Sequence, residues 1–300
     1  MFNYNAILIS GPTASGKSHL ALDIAKKYNG VIINADSMQV YKDLSIITAR
    51  PSITQMSSTP HFLYGYIDPG IRFSVGDWLK NIESLLIFLE KMKILPIIVG
   101  GTGLYFSGLF GEISEIPQIT QKTRIKWQQI KDNNGLKYIY TFLQRNDPLA
   151  ANSINMNDPT RVIRATEVFD QTGISIRDWQ KNTGNILIKK DQVKKVYLCP
   201  SKETIQSNIS ERIDQMVNNQ LLFDEIKRIE GKDISLSYPL MKAIGVREVI
   251  EYIDGKHSLE KLKEHMNIQT KRYAKRQITW AKKKMNDWEW IKNKEDFFLS

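Results

Sequence analysis

Apolar positions in the first hundred residues fall into short unbroken runs separated by helical repeats. Ala6-Ile7-Leu8-Ile9 is continuous, as a strand buried on both faces requires. A glycine-containing loop follows. Leu20, Ala21, Ile24, Ala25 and Tyr28 then recur at helical spacing, with Gly30 as the stop. Val31-Ile32-Ile33 is a second run, ending at Asn34-Ala35-Asp36. A third unit passes from Asp77 through an apolar helix to Pro96-Ile97-Ile98-Val99 and the turn Gly100-Gly101-Thr102-Gly103. Strand and helix alternating through short loops predict an α/β fold with a parallel sheet flanked by helices. After Ile116-Pro117 the pattern changes. Helical periodicity with no convincing strand runs from residue 120 to about 179, with breaks at Asn133-Asn134-Gly135, Asp147-Pro148, Asp158-Pro159 and Thr172-Gly173. Lys194, Val196, Tyr197 and Leu198 read as a strand again. Everything from Lys202 onward reads as helical, with Ile209, Ile213, Met216 and Val217 on one face and Gly245 and Gly255 as punctuation. The expected organisation is a discontinuous core, residues 1–116 and 196–300, interrupted by an all-helical insertion, residues 117–195.

Composition narrows the class. The chain has 300 residues, 42% hydrophobic and 25% charged, enough for one or two domains with a real core and too apolar for wholesale disorder. One cysteine, Cys199, excludes an intramolecular disulfide and a cysteine-based zinc site and points to a reducing compartment. The most apolar stretch, residues 85–99, is interrupted by Glu90, Lys91, Lys93 and Pro96, so no membrane span is expected. A soluble, cytoplasmic monomer is expected, for no coiled-coil seam is visible. Charge adds a partner. Of the net +10, residues 256–294 hold twelve Lys/Arg against four Asp/Glu. A basic segment concentrated at one end suits a polyanion, nucleic acid before membrane; a solvated helix face is the plainer alternative.

The most specific local chemistry is Gly11-Pro12-Thr13-Ala14-Ser15-Gly16-Lys17-Ser18, which fits G-x-x-x-x-G-K-[ST] between a predicted strand and a predicted helix. Glycines let successive N–H groups turn inward around phosphate oxygens, and the helix N-terminus adds partial positive charge. Lys17 brings a full charge to the phosphate, and the Ser18 hydroxyl can hold Mg²⁺. The loop should therefore bind a di- or triphosphate, a nucleotide such as ATP being the usual ligand. Asp36 ends the second predicted strand, where ligands of open α/β sheets collect. A carboxylate there could hold Mg²⁺ through water, take a proton from a substrate, or cap a turn. Thr102 follows another strand end and would face the same crevice, or serve only the turn.

The blocks GPTASGKS, NADSMQVYKDLSIITARPS, VGGTGLYF, NDPTRVIRATEV and KRYAKRQITW, in that order from residue 11 to 280, resemble the tRNA dimethylallyltransferase family. That resemblance implies a P-loop NTPase-like core and transfer of a dimethylallyl group from dimethylallyl diphosphate to the N6 amine of the adenosine 3′ of the anticodon, position 37 of tRNA. By the same resemblance Asp36 is the base that takes a proton from the amine. The amides of residues 13–18, Lys17 and Mg²⁺ at Ser18 stabilise the leaving diphosphate. Arg212, in Arg-Ile-Asp-Gln-Met, matches an arginine that assists at the diphosphate. RNA contacts are implied for Asp36, Ser37, Met38, Gln39, Thr102, Arg124, Thr160, Arg161, Val162, Ile163 and Arg164. The helical insertion is then a domain that grips the anticodon stem-loop. Arg161 and Arg164 share a helical face, while Val162, Ala165 and Val168 can pack inward. Surface ion pairs are the plainer reading of the arginines. Lys271, Arg272, Lys275 and Arg276 recur at i, i+4 as a stripe suited to phosphates, with Tyr273 and Trp280 expected to pack.

Five positions depart from the family pattern: Ile47, Asn208, Gln220, Val246 and Ala281. None is expected to touch the loop, Asp36 or Thr102. Two other functions stay compatible with the residues alone: a P-loop kinase for a nucleotide or small molecule, with its lid in the insertion, and an RNA-binding protein that uses a nucleotide as a switch.

Overall fold

The protein is described from a computed structural model, which covers residues 5–232, 234 and 238–299. These residues contain one six-stranded sheet: β1 (Ala6–Ser10), β2 (Val31–Asn34), β3 (His61–Phe62), β4 (Pro96–Gly100), β5 (Val193–Leu198) and β6 (Glu289–Ile291). The order is β3-β2-β4-β1-β5-β6, and every pair is parallel. Central strands β1, β2 and β4 are buried at every position, which is why they read as unbroken apolar runs. Register aligns Ile9 with Val99 on one side and with Val196 on the other. The two edge strands, β3 and β6, were not foreseen; β6 lies in the stretch expected to be wholly helical and pairs Trp290 with Tyr197.

The helices of the first part are α1 (Lys17–Tyr28), α2 (Ile53–Ser58), α3 (Val75–Lys91) and α4 (Gly103–Leu109). Then come α5 (Gln121–Asn146), α6 (Pro148–Ser153), α7 (Pro159–Thr172) and α8 (Ile176–Trp179), and after β5, α9 (Lys202–Val217), α10 (Gln220–Glu230), α11 (Val246–Ile253), α12 (Leu259–Lys284) and α13 (Asp296–Leu299). Local chemistry sets many of the ends. Ser74 and Asp77 form a reciprocal capping box at the start of α3, and Asp158 with Pro159 opens α7, whose end falls at Gly173 with φ 69°. Gly135, at φ 78° and ψ 170°, interrupts α5 where the Asn133-Asn134-Gly135 break was expected.

Two compact units result: Met1–Ser107 with Leu187–Ser300, and Gly108–Ile186. These divisions, at 107/108 and 186/187, each fall nine residues before those expected at 116/117 and 195/196, and β5, which begins at Val193, belongs wholly to the unit that holds the sheet. In the first unit, Leu20, Ile24, Ile32, Ile97 and Val196 form a core between α1 and the sheet. A second core joins Val40, Tyr41 and Leu44 to α9, α10, α11 and α12 through Ile209, Ile213, Leu222, Ile226, Val249 and Met266. The second unit is helical and has its own core of Leu143, Ala150, Ala165 and Val168, with Trp127, Ile139 and Val162 beside it. Among the described residues no helix is long and apolar enough to cross a membrane.

Candidate active site

The site is built on the C-terminal ends of β1, β2 and β4. After β1 the chain turns through residues 11–16, where a Cβ on Gly11 would run into the Leu198 carbonyl of neighbouring β5. Ala14 (φ 62°) and Gly16 (φ 89°) are both left-handed, the alternation that curls a loop around an anion. Not every amide is available, however. The Thr13 N–H donates to Gln277 Oε1 at 2.9 Å and the Ser15 N–H to the Pro12 carbonyl at 3.3 Å. The cradle expected from residues 13–18 is thus narrower than the sequence suggested. The hydroxyl of Ser15 is buried without a partner, and Ser18 is exposed in the first turn of α1. Contrary to the expectation that none of the five departures reaches the loop, Asn208 donates to the Ala14 carbonyl at 3.0 Å and braces the loop from α9.

Lys17 lies inside this loop with Nζ 3.0 Å from the Pro12 carbonyl. Burial pulls its ammonium down to about 8; the charge of Asp36 opposes that shift and the charge of Arg212 adds to it. Arg212, on α9, is likewise shifted down by burial and held up by Asp36, and its Nε is buried without a partner. Two cations therefore face one carboxylate at the loop. The excess positive charge in this partly enclosed site is what a diphosphate would neutralise.

Asp36 is fixed by its neighbours. Asn34, fully buried at the end of β2, accepts from the Asp36 N–H at 2.8 Å and donates to the carbonyls of Asp36 and Leu63, each at 3.0 Å. Trp78 on α3 donates to the Asn34 carbonyl at 2.8 Å and stacks on Tyr105 at 4.4 Å. The carboxylate Oδ1 accepts from the N–H groups of Met38 (2.9 Å) and Gln39 (3.4 Å). One oxygen thus serves the turn, and Oδ2 is left to meet a substrate. The Asp36 charge is felt by Tyr64, Tyr105 and Tyr273: burial, then that charge, pushes each phenol up. Thr102 joins this group, because its Oγ1 accepts from the Ser37 N–H at 3.1 Å. Gly100 packs so closely on the Ala35 backbone that no Cβ fits there.

Residues named by resemblance divide accordingly. Gly11, Pro12, Thr13, Ala14, Ser15, Gly16, Lys17, Ser18, Asp36, Ser37, Thr102 and Arg212 gather at one end of the sheet. Met38 packs against the core around α9. The Gln39 amide is spent on the carbonyls of Thr48 (2.9 Å) and Ala49 (3.3 Å), so it secures a loop rather than reaching outward. In the second unit Val162 is fully buried and Ile163 packs with it, so the Val162 side chain is core and not a contact surface. Arg161 is exposed beside Asp158 at 3.4 Å. Arg124 lies 3.9 Å from the buried Glu167, and burial, then the charge of Arg124, shifts Arg164 down. Thr160 is exposed in the first turn of α7.

Sequence reasoning passed over three residues: Asn34, Gln277 and Glu225. The last is a buried carboxylate of α10 that accepts from the N–H groups of Ser45 (2.9 Å), Ile46 (2.9 Å) and Ile47 (3.1 Å) and from the Ser45 hydroxyl (2.8 Å). Each looks like an ordinary polar position of its element. Only for Asn34, at a strand end beside Asp36, did the sequence carry a signal.

Comparison with known proteins agrees with this geometry. The family model described as IPP transferase matches residues 39–284, and one described as isopentenyl transferase matches residues 4–68. A tRNA dimethylallyltransferase of Bartonella henselae is 43% identical over 95% of this chain and 97% of its own length. One of Allorhizobium ampelinum is 41% identical over 96% and 94%. Among solved structures, the full-length tRNA isopentenylpyrophosphate transferase of Bacillus halodurans superposes with a TM-score of 0.66 at 31% identity, covering 96% of this chain and 89% of that one. A eukaryotic dimethylallyltransferase acting on tRNA gives 0.77 at 28% identity, over 92% and 70%. The fold is the P-loop NTPase-like one, the kinase alternative is not favoured, and the chain belongs to the IPP transferase family of prenyl-transferring enzymes.

Proposed function

We propose that this chain transfers the dimethylallyl group of dimethylallyl diphosphate to the N6 amine of adenosine 37 in tRNA, with release of diphosphate. The observation that carries the reading is a carboxylate, Asp36, fixed by its turn and electrostatically coupled to two partly buried cations, Lys17 and Arg212, at a phosphate loop. A base and a cradle for an anionic leaving group thus occur together. The adenine amine is a weak nucleophile because its lone pair is delocalised. As its nitrogen bonds to C1 of the donor, the C1–O bond breaks, its electron pair leaves with diphosphate, and a proton passes from the amine to Asp36 Oδ2. Lys17, Arg212 and the remaining loop amides meet the charge that grows on the leaving oxygen. Asn34 and the turn at Met38 and Gln39 hold the carboxylate in one direction, which supplies the orientation an unactivated amine needs.

Among the described residues no group of three or more His, Cys, Asp or Glu could hold a metal. An exposed Ser18 hydroxyl beside a diphosphate fits Mg²⁺, which binds through few protein ligands plus phosphate oxygens and water. Bound there, Mg²⁺ would lower the charge on the leaving group. Thr160, Arg161, Arg164 and Arg124 of the second unit are proposed to engage the anticodon stem-loop, with Val162 and Ile163 packing beneath them. The test is direct: incubate the protein with labelled dimethylallyl diphosphate and a tRNA whose anticodon is followed by adenosine. Label is expected in the RNA, and none when that adenosine is replaced. Labelled phosphate transfer from ATP, with no prenyl transfer, would overturn the reading.

A further inference from the structure

Gln277 lies on α12, far along the chain from both loops it touches. Its Oε1 accepts from the Thr13 N–H at 2.9 Å, and its Nε2 donates to the Gly101 carbonyl at 3.0 Å. A Cβ on Gly101 would occupy the place of that Nε2, so the glycine is what lets the amide approach. Gly101 in turn precedes Thr102, whose N–H donates to the Ala35 carbonyl at 3.3 Å and whose Oγ1 accepts from the Ser37 N–H at 3.1 Å. A continuous hydrogen-bonded path thus runs from the phosphate loop through one side chain to the residues flanking Asp36. We infer that Gln277 is a positioning residue: it sets the phosphate loop, which would hold the donor, in register with the turn that orients Asp36. An amide suits the task because it presents an acceptor and a donor on one planar group. Met matches its length and offers neither. An ionised Glu keeps the acceptor and sets a charge against the Gly101 carbonyl. A protonated Glu restores both partners, with its C=O toward Thr13 and its O–H toward Gly101.

That last property supplies the test. Gln277→Met and Gln277→Glu are compared with wild type for inorganic diphosphate binding by calorimetry and for prenyl transfer to tRNA, at about pH 8 and about pH 5.5. Ionisable groups on the elements that carry or meet Gln277 include Lys17 and His19 of α1, Asp36, and Lys271, Arg272, Tyr273, Lys275, Arg276, Lys282 and Lys283 of α12, with Arg212 coupled to Lys17. They and the ligand are common to all three proteins, so their titration cancels in variant-to-wild-type ratios. Gln277→Met should weaken diphosphate binding by about tenfold, the worth of a hydrogen bond left unmade, and slow transfer by about 10²-fold through misalignment, with ratios that do not change with pH. Gln277→Glu should be poor at the higher pH and recover at least fivefold relative to wild type at the lower one, which loss of packing alone would not produce. Diphosphate affinity and turnover within twofold of wild type in Gln277→Met, or a Gln277→Glu ratio that is flat with pH, would overturn the inference. If Gln277→Met does not fold, the pH response of Gln277→Glu decides. Since the inference rests on the proposed prenyl transfer, the arms are separable: a wild type that binds diphosphate and transfers nothing refutes that activity, while the binding arm still judges Gln277.

Discussion

In the ligand-free site Lys17 should bind a diphosphate with a pH dependence that its burial dictates. A drop from 10.5 to about 8 means that the protonated side chain is held at a cost of about 3 kcal/mol, burial being the main cause. Between those values native Lys17 carries fewer protons than an unfolded lysine, so stability of the free protein rises with pH across that window, and the cost is fully present below about pH 8. A bound diphosphate supplies the missing counter-charge and raises the lysine again. Above about pH 8, binding must therefore take up a proton, and affinity should fall about tenfold for each further pH unit. Calorimetric titration with inorganic diphosphate from about pH 7 to 9.5, in two buffers of different ionisation heat, reads both the slope and the proton. Lys17→Met provides the ligand's own protonation as baseline. It should bind at least tenfold more weakly below pH 8, from loss of a charge-assisted contact of about 1.5–3 kcal/mol, and lack the extra slope. Parallel profiles for wild type and Lys17→Met would refute the reasoning, since the excess proton would then belong to another group.

Three further outcomes follow from named contacts. Asp36→Asn keeps the turn acceptor at Oδ1 and loses the basic oxygen, so single-turnover transfer should fall by about 10²–10⁴-fold with donor affinity kept; recovery of the rate by excess Mg²⁺ would assign Asp36 to the metal instead. Arg161→Ala and Arg164→Ala should each weaken tRNA binding and reduce the slope of log affinity against log salt by about one, with donor binding unchanged; normal binding across the titration would remove the second unit from the RNA interface. Glu225→Gln places an amide NH₂ among the N–H groups of residues 45–47 and should cost about 2–4 kcal/mol in urea unfolding; a loss under about 0.5 kcal/mol would show that the loop is held by packing alone.

What the sequence determined by itself was local or repetitive. Strands β1, β2 and β4 announce themselves because a strand covered on both faces must be apolar throughout. The phosphate loop is legible because its glycines, Lys17 and Ser18 act within one turn of chain, between a strand and a helix that carry their own signals. The breaks at Gly135, Asp158-Pro159 and Gly173 are likewise backbone chemistry confined to a few residues. Asp36 and Thr102 could be nominated because parallel sheets collect ligands at strand ends, and the ordered family blocks gave them tasks. The tertiary structure alone decided whatever depends on partners distant in the chain. Strands β3 and β6, two and three residues long, exist because neighbouring strands offer free backbone edges, not because of their own pattern. Asn208 and Glu225 sit on helices where polar residues ordinarily face water, and nothing local distinguishes the ones turned inward; Arg212 was marked only by the resemblance of its segment to the family's. Gln277 meets Thr13 across 264 residues of sequence. Such a contact is fixed by how α12 packs on the sheet, and the amide becomes a bridge only once the fold has brought both loops to it.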